Sequence, residues 1–381
     1  MLRERRKGQL IDQARNLPVR TLNSVEEAFD IIETAAAKGQ AVLYLRNTVG
    51  DAFAAFREMQ KRGVNAMLFH SRFALGDRLD VEDRVREKFG SDSKPPDRSC
   101  VLVATQVAEQ SLDIDFDLVV TDLAPIDLII QRAGRLWRHN RPERQGTAEL
   151  FVVSPDPVDD PPADWYSAMF KGASYVYSHP GRLWQTARLL QREGAIRSPG
   201  GLRALVEGVY GAAADALPEA LGTKSYDTEG KEGANRNQGQ ANVLKLSKGY
   251  DRGGAPWDVE ERTPTRLVDQ PQATLRLARI ENGRVVPWHS GVEHQVWRTW
   301  TLSEVNIAAN RVKGEAIPPE FKVAAEAARR DWTRYDSAKL MVIMVPDGDW
   351  WKGMVTTGKD GQRHLYYSSQ FGLTVDSPVL S

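Results

Sequence analysis

Short apolar runs alternate with longer stretches of helical spacing over residues 1–150. The apolar runs predict buried strands at 41–45, 66–69, 100–104, 118–120 and 150–153. The stretches between them predict helices at 25–37, 51–62, 79–89 and 126–137. This alternation predicts an α/β fold, with a parallel sheet and helices on both of its faces. Because ligands bind at the carboxyl ends of such strands, the segments at Thr105 and Asp122 are placed where ligands bind.

The pattern changes after residue 153. Residues 154–164 are rich in proline and acids and indicate a boundary, while 165–210 keep a mostly helical period. The polar, glycine-rich stretch at 222–242 predicts a mobile loop. We therefore expect a first domain with a helical extension over 1–220, a linker over 221–275, and a smaller mixed α+β C-terminal domain over 276–381.

The C-terminal pattern favours turn-rich β structure. Asn282-Gly283 predicts a tight hairpin, and residues 317–332 include a helical stretch. The runs at 340–345 and 364–369 predict two strands joined around Asp347-Gly348 and residues 359–361. The sequence contains no internal repeat.

Composition limits the function classes only weakly. The 381 residues carry 51 basic and 51 acidic side chains, so any basic surface that binds nucleic acid must be local. The single cysteine, Cys100, excludes an intrachain disulfide and fits a reducing cytoplasm. No run approaches the ~18 apolar residues of a membrane span, and the basic start lacks the apolar core of a secretory signal. We therefore expect a cytoplasmic protein with no membrane partner.

The predicted helix at 126–137 carries the strongest candidate chemistry. Gln131, Arg135 and Arg138 stand at i, i+4 and i+7, which on a helix places them within roughly 60° of one another. Arginine forks suit phosphate oxygens, and an arginine that emerges from a packed helix needs an anion as its partner. The block itself supplies no acid, which points to an external phosphate. The alternative is a solvated or salt-bridged helix surface.

Several ordered motifs resemble superfamily 2 helicases and, more closely, the helicase–nuclease of type I CRISPR–Cas systems. Residues 104–115 resemble motif V, and Gln131 to Arg138 resemble motif VI. Residues 45–48 resemble motif IV, and 69–73 resemble the family's HSRF element. Residues 205–210 and 264–267 resemble its C-terminal half. The resemblance implies that residues 1–220 form the second RecA-like domain of such a helicase.

The resemblance also implies residue roles. Arg135 and Arg138 would reach the γ-phosphate of ATP, Gln131 would help to position the nucleotide, and Asp113 would contact its ribose. The positions implied to hold the nucleic-acid backbone are Asn47, Thr48, Ser71, Arg72 and Thr105. Taken without the resemblance, Thr105 and Asp113 are equally well explained as caps of a strand end and of a turn. His70 is best explained as a packed or loop histidine.

The chain departs from the family where the phosphates and metal are expected. It has no G-x-x-x-x-G-K-[ST] loop and no aspartate-glutamate box after a strand, and none of its six histidines precedes an aspartate. We therefore expect a C-terminal piece of the family's protein, without the nuclease and first RecA-like domains. ATP with magnesium would be held mostly by the missing N-terminal half. That half, single-stranded DNA and a Cascade-type effector complex are the expected partners, and the chain alone is expected not to hydrolyse ATP.

A second hypothesis belongs to a different class. The chain would act without catalysis, as a module that docks on the effector complex or on DNA through residues 276–381. Trp350-Trp351, next to Asp349 and Lys352 and near a turn, would be exposed in that case. The alternative places these tryptophans in a core.

Overall fold

The computed structural model describes residues 14–109, 112–144, 146–212, 214–222, 225, 271–289, 295–333, 336–358 and 361–377. Most of the predicted loop at 222–242, most of the predicted linker, and the motif at 264–267 lie outside the described residues. The expected domain boundaries therefore remain predictions.

A seven-stranded sheet organises the first part of the chain. Its strands are β1 (Arg15–Leu22), β2 (Val42–Leu45), β3 (Ala66–Phe69), β4 (Val101–Ala104), β5 (Leu118–Asp122), β6 (Leu150–Val153) and β7 (Ala195–Ser198). Their order is β3-β4-β2-β5-β6-β1-β7, and each pair is parallel except the antiparallel edge pair β1–β7. Every residue of β2, β4 and β6 is buried, which requires cover on both faces of the sheet. The predicted RecA-like α/β class is confirmed.

The covering helices follow the predicted pattern with shifted ends. They are α1 (Val25–Ala37), α2 (Val49–Lys61), α3 (Leu75–Phe89), α4 (Ile126–Ala133), α5 (Pro180–Glu193) and α6 (Leu202–Tyr210). The Ser24 side chain caps α1 by accepting a hydrogen bond from the backbone N–H of Glu27. The predicted helical run at 165–210 is interrupted, because Gly194 ends α5 in the left-handed conformation and β7 follows directly.

The C-terminal part is rich in sheet. A mixed sheet joins β8 (Gln272–Glu281), β9 (Arg284–Pro287), β10 (Glu304–Ala308) and β12 (Leu340–Ile343), accompanied by α7 (Val296–Leu302) and α8 (Lys322–Arg329). An antiparallel sheet joins β11 (Gly314–Glu315), β13 (Val345–Asp347), β14 (Trp350–Thr356), β15 (Gln362–Ser368) and β16 (Gly372–Val375). The β8–β9 hairpin turns at Asn282 and Gly283 with φ of 50° and 75°, as predicted. Strands lie near 340 and 364 as predicted, but the sequence pattern missed β14, which lies between the predicted turns at Asp347-Gly348 and 359–361 and pairs with β15.

The antiparallel sheet packs against the first part of the chain. The Phe371 ring lies 5.8 Å from Phe53 and 5.9 Å from Phe56 on α2, and it stacks on Trp350 at 5.2 Å. The Trp351 ring packs edge-on against Trp288 at 5.1 Å. Trp350 and Trp351 are half-buried packing residues, which fits the core alternative and not the exposure that the binding-module hypothesis requires. No helix within the described ranges is long and apolar enough to cross a bilayer.

Candidate nucleotide and nucleic-acid site

The arginine segment leaves its helix earlier than predicted. Helix α4 ends at Ala133, so Arg135 and Arg138 lie beyond it and do not share a helical face with Gln131. A bridge between Phe116 and Leu136 redirects the backbone: the Phe116 N–H donates to the Arg135 carbonyl, and the Leu136 neighbour Trp137 adopts a φ of 49°. Gln131 is exposed on α4. The predicted helix over 126–137 is therefore wrong beyond Ala133, because the bridge between Phe116 and Leu136 takes the chain out of the helix.

Arg135 is oriented by two backbone oxygens of the motif V segment. Its Nη1 donates to the Leu112 carbonyl at 2.6 Å, and its Nη2 donates to the Glu109 carbonyl at 2.7 Å. Its Nε is buried and has no partner among the described residues. Burial, and then the nearby Arg138, lower the pKa of the Arg135 guanidinium. Neutral carbonyls fix the direction of this group, and among the described residues it forms no direct ion pair, although the charges of Asp113 and Glu109 lie nearby.

Arg138 pairs with the predicted ribose residue. Its Nε donates to Asp113 Oδ1 at 2.6 Å, and the two side chains are 43% and 60% exposed. The block itself contains no acid, as the sequence shows, but motif V supplies one from a separate loop, so the salt-bridged alternative applies to Arg138. An ion pair this exposed contributes little to the free energy of unfolding. Exchange of the Asp113 carboxylate for another anion, such as a phosphate, therefore costs little.

Arg132, which the sequence analysis left without a role, is the buried centre of the site. Its Nε donates to Glu109 at 2.7 Å, and its Nη1 donates to Thr121 Oγ1 at 2.7 Å, to the Asp122 carbonyl at 3.0 Å and to Asn47 Oδ1 at 3.2 Å. The side chain is fully buried. It therefore ties motifs IV, V and VI together. The sequence does contain a signal for Arg132: it is a basic residue inside an apolar helix, and the acidic Glu109 lies in the preceding motif V.

Asp122 is occupied within the fold. Its Oδ2 accepts from Arg46 Nε at 2.8 Å and from the backbone N–H of Asn47 at 3.1 Å. Burial raises the pKa of this carboxyl. Asp122, the last residue of β5, therefore positions the loop after β2 through Oδ2, while its buried Oδ1 has no hydrogen-bond partner among the described residues. The prediction that this segment lies where a ligand binds is not supported by these contacts.

The predicted nucleic-acid residues divide into two groups. Asn47 is buried, and its side-chain amide donates to the Leu123 carbonyl at 2.7 Å and to Tyr166 Oη at 3.0 Å. Thr48 caps α2, and Thr105 is buried after β4. These three side chains serve the fold directly, although Thr48 is only half-buried. Ser71 is exposed and Arg72 is half-buried, and neither has a structural role as clear as those of the first group.

The HSRF element meets the C-terminal sheet. His70 Nδ1 accepts from the Arg72 N–H at 3.1 Å, which leaves Nε2 to donate to the Phe371 carbonyl at 3.1 Å. The Leu373 N–H donates to the Arg72 carbonyl at 2.7 Å. Burial, and then the charge of Arg72, lower the pKa of His70 to about 3, so the ring is neutral. The packed role expected for His70 fits these contacts.

An arginine cage fixes the chain after motif VI. The buried Asp115 accepts from Arg141 Nε at 2.6 Å, from Arg144 Nη2 at 2.5 Å and from the backbone N–H of Arg138 at 2.7 Å. Burial alone would raise the pKa of Asp115, but Arg141 and Arg144 hold it below its ordinary value. The described side chains around Arg135 and Arg138 thus form a cationic set that suits phosphate oxygens. Asp113 is the acid beside them and is already paired, so the set does not suit magnesium.

Sequence comparisons place the motifs in one family. A family profile described as the C-terminal part of the CRISPR-associated nuclease/helicase Cas3 matches residues 38–141. The CRISPR-associated endonuclease/helicase Cas3 of Thermus thermophilus is 35% identical over 243 residues, which is 58% of this chain and 25% of that protein. The corresponding protein of Escherichia coli K12 is 33% identical over 221 residues, 57% and 24% respectively. This chain thus spans about a quarter of the length of these relatives.

Solved structures share the fold. The crystal structure of T. fusca Cas3 aligns with a TM-score of 0.72 at 22% identity, over 96% of this chain and 42% of that one. T. fusca Cas3-ATP aligns with a TM-score of 0.70 at 24% identity, over 94% and 42%. A chain of a CRISPR RNA-guided surveillance complex, pre-nicking, aligns with a TM-score of 0.64 at 22% identity, over 94% and 44%.

The fold is a RecA-like α/β domain joined to a sheet-rich C-terminal part. The comparisons support the predicted resemblance to the C-terminal part of the CRISPR-associated nuclease/helicase Cas3, with the family model matching residues 38–141.

Proposed function

We propose that this chain is the trailing part of an ATP-driven DNA translocase in a type I CRISPR–Cas defence system. It would complete an ATP site whose phosphate loop and magnesium lie in an N-terminal part of the enzyme. The observation that carries the proposal is the meeting of motifs V and VI, which brings Arg135 and Arg138 beside Asp113. The helicase names of the relatives and the likeness to T. fusca Cas3-ATP support the same assignment.

The two arginines would act at different moments. Arg135 is already oriented by the carbonyls of Glu109 and Leu112, so its charge would stabilise the transferring phosphoryl group without reorganisation. Arg138 would exchange Asp113 for a phosphate oxygen when the cleft closes, which frees the Asp113 carboxylate for a ribose hydroxyl. Gln131, exposed at the end of α4, would help to position the nucleotide.

The nucleic-acid backbone would lie against the HSRF element. The Ser71 hydroxyl and the Arg72 guanidinium suit phosphates and carry no base code. Asn47, Thr48 and Thr105 would contribute by fixing the loops at the carboxyl ends of β2 and β4. Opening and closing of the ATP cleft would then move these nucleic-acid-binding loops along one strand of DNA. The likeness to a chain of a CRISPR RNA-guided surveillance complex supports a Cascade-type effector as a further partner.

The test is phosphate release by this chain combined with its N-terminal half, in the presence of single-stranded DNA. Arg135→Ala should lower kcat by roughly 10³-fold, because arginine fingers contribute about 10³ to 10⁵ in related enzymes. KM for ATP should change far less. Arg203→Ala is the matched control, since Arg203 is 88% exposed on α6 and, among the described residues, pairs with Glu207. An unchanged kcat in Arg135→Ala and Arg138→Ala would refute the proposal.

The binding-module hypothesis loses its supporting observation. It required exposed tryptophans at 350–351. The Trp350 ring instead packs against Phe371 and lies 6.4 Å from Phe53 on α2, and the Trp351 ring packs against Trp288. We therefore propose no second function.

A further inference from the structure

Two carboxylates and one imidazole converge at the seam, which is the contact between α3 and the C-terminal part of the chain. This cluster is separate from the residues of motifs V and VI. The ligand atoms of Asp77, Asp80 and His289 all lie within 4.8 Å of one another. Asp77 and Asp80 stand three residues apart on α3, so they share a face of that helix. His289 comes from the C-terminal part, two residues after β9. Its ring lies directly against Gly76 on α3. If Gly76 were replaced by a residue with a side chain, the added Cβ would lie only 2.1 Å from the ring.

The surroundings leave the two carboxylates without a basic counterion. Each arginine nearby is used elsewhere: Arg78 pairs with Glu82, Arg86 pairs with Glu82 and Asp83, and Arg84 donates to the backbone carbonyl of Asp80. Within the described part of the chain, no lysine or arginine forms an ion pair with Asp77 or Asp80. Two neighbouring carboxylates therefore lie close to an imidazole, and among the described residues neither carboxylate pairs with a lysine or an arginine.

The contacts behind the ligands resemble the support that a metal site needs. Asp77 Oδ2 accepts from Trp288 Nε1 at 3.0 Å and from the Tyr367 hydroxyl, which fixes the carboxylate and leaves Oδ1 for another partner. The His289 N–H donates to Ser303 Oγ at 2.9 Å and fixes the backbone below the ring. Such outer hydrogen bonds orient metal ligands.

An ion can reach the two carboxylates. A cavity of about 720 Å³ opens between α3 and the turn that joins β15 to β16, and its lining includes Asp77, Asp80 and Gln370. Two carboxylates neutralise a divalent ion, and a set of one nitrogen and two oxygens suits zinc with a remaining position for water.

We propose that Asp77, Asp80 and His289 bind a divalent transition-metal ion, with zinc as the best fit, and that this ion fastens the C-terminal part to α3. The inference rests on contacts separate from the proposed ATP site, so either can fail without the other. A bound ion would hold the half-buried seam in one arrangement while the helicase domain moves.

The test is calorimetric titration of the untagged chain with zinc chloride, together with thermal unfolding. One zinc ion should bind per chain and raise Tm. Asp80→Asn and His289→Gln should each weaken binding at least about 10-fold, since losses of this order follow even from changes behind the ligands. Asp83→Asn, on an exposed acid of the same helix, should bind zinc like the unchanged chain.

A second readout separates metal binding from loss of packing. Cobalt(II) should give visible absorption bands in the unchanged chain and in Asp83→Asn, and these bands should vanish in Asp80→Asn, whose exposed side chain can change without unfolding α3. Zinc binding and cobalt bands that persist in the Asp80→Asn/His289→Gln double variant would overturn the proposal. Absence of saturable zinc binding by the unchanged chain would do the same.

Discussion

Single buried charges hold the motif segments together. The pair formed by Arg132 and Glu109 is almost inaccessible to solvent, at 0% and 4% side-chain exposure. Removing one partner of such a pair leaves an uncompensated buried charge. Arg132→Met should therefore lower the free energy of unfolding by about 3–5 kcal/mol. The double variant Arg132→Met/Glu109→Leu should recover part of that loss, because neither charge then remains buried alone.

Urea unfolding followed by tryptophan fluorescence measures this effect. Arg203→Met should leave the midpoint nearly unchanged, since the Arg203–Glu207 pair lies on the surface. If Arg132→Met and Arg203→Met lowered stability equally, Arg132 would have no special part in joining motifs IV, V and VI.

A single histidine should make stability depend on pH. The pKa of His70 in the fold is about 3, lowered by burial and then by Arg72 from an ordinary value of 6.5. As pH falls through 6.5, the unfolded chain takes up the proton first. The contribution of His70 is thus complete above pH 6.5 and is lost progressively toward pH 3. The slope reaches at most about 1.4 kcal/mol per pH unit.

Unfolding free energies between about pH 4.5 and 7 test this dependence. His70→Gln should flatten the curve, and His364→Gln, at an exposed position on β15, should not. Parallel curves for the unchanged chain and His70→Gln would show that the ring does not carry the pH effect.

At the scale of elements, the start of β16 depends on a glycine. Gly372 has a φ of +72°, and a Cβ there would lie 2.6 Å from the Arg72 carbonyl oxygen. Gly348 is the matched control, with a φ of +60° and open space around it. Both alanine variants carry the left-handed penalty of roughly 1–2 kcal/mol. Gly372→Ala should lose a further ~1–3 kcal/mol through the clash.

Differential scanning calorimetry distinguishes the two variants. A larger drop in Tm for Gly372→Ala, with earlier proteolytic release of the C-terminal part, is the expected result. Equal Tm values would mean that the seam yields to the added methyl group.

Sequence patterns predicted elements better than their ends and partners. The strands β3 and β6 match the predicted bounds, because compact apolar runs between polar segments have one good solution. The pattern missed β1, where only Leu17 and Leu22 are buried and polar residues fill the strand. It also extended α4 through Arg135, since nothing local reveals the bridge between Phe116 and Leu136.

The candidate site shows the same limit. Motif order identified Arg135, Arg138 and Asp113 as one group, and the structure brings them together. The direct pairing of Arg138 with Asp113, the carbonyl contacts of Arg135 and the buried position of Arg132 depend on a loop about 20 residues upstream. Local periodicity does not contain that information. It singled out Gln131, Arg135 and Arg138, whereas the most buried side chain of the segment is Arg132.

At the scale of the whole molecule, two packed parts have different tasks in the proposed enzyme. The RecA-like part would present Arg135 and Arg138 to a nucleotide held elsewhere. The C-terminal part packs on α2, α3 and the HSRF element, so it supports the surface at Ser71 and Arg72. Loss of this support should weaken DNA binding before it affects the arginines.

Phosphate release before and after reconstitution tests the central claim most directly. The chain alone, with ATP, magnesium and single-stranded DNA, should release phosphate no faster than a protein-free blank. Addition of the N-terminal half should restore turnover, and Arg135→Ala in this chain should abolish most of it. Brisk turnover by the isolated chain, or full turnover by the N-terminal half without it, would contradict the account.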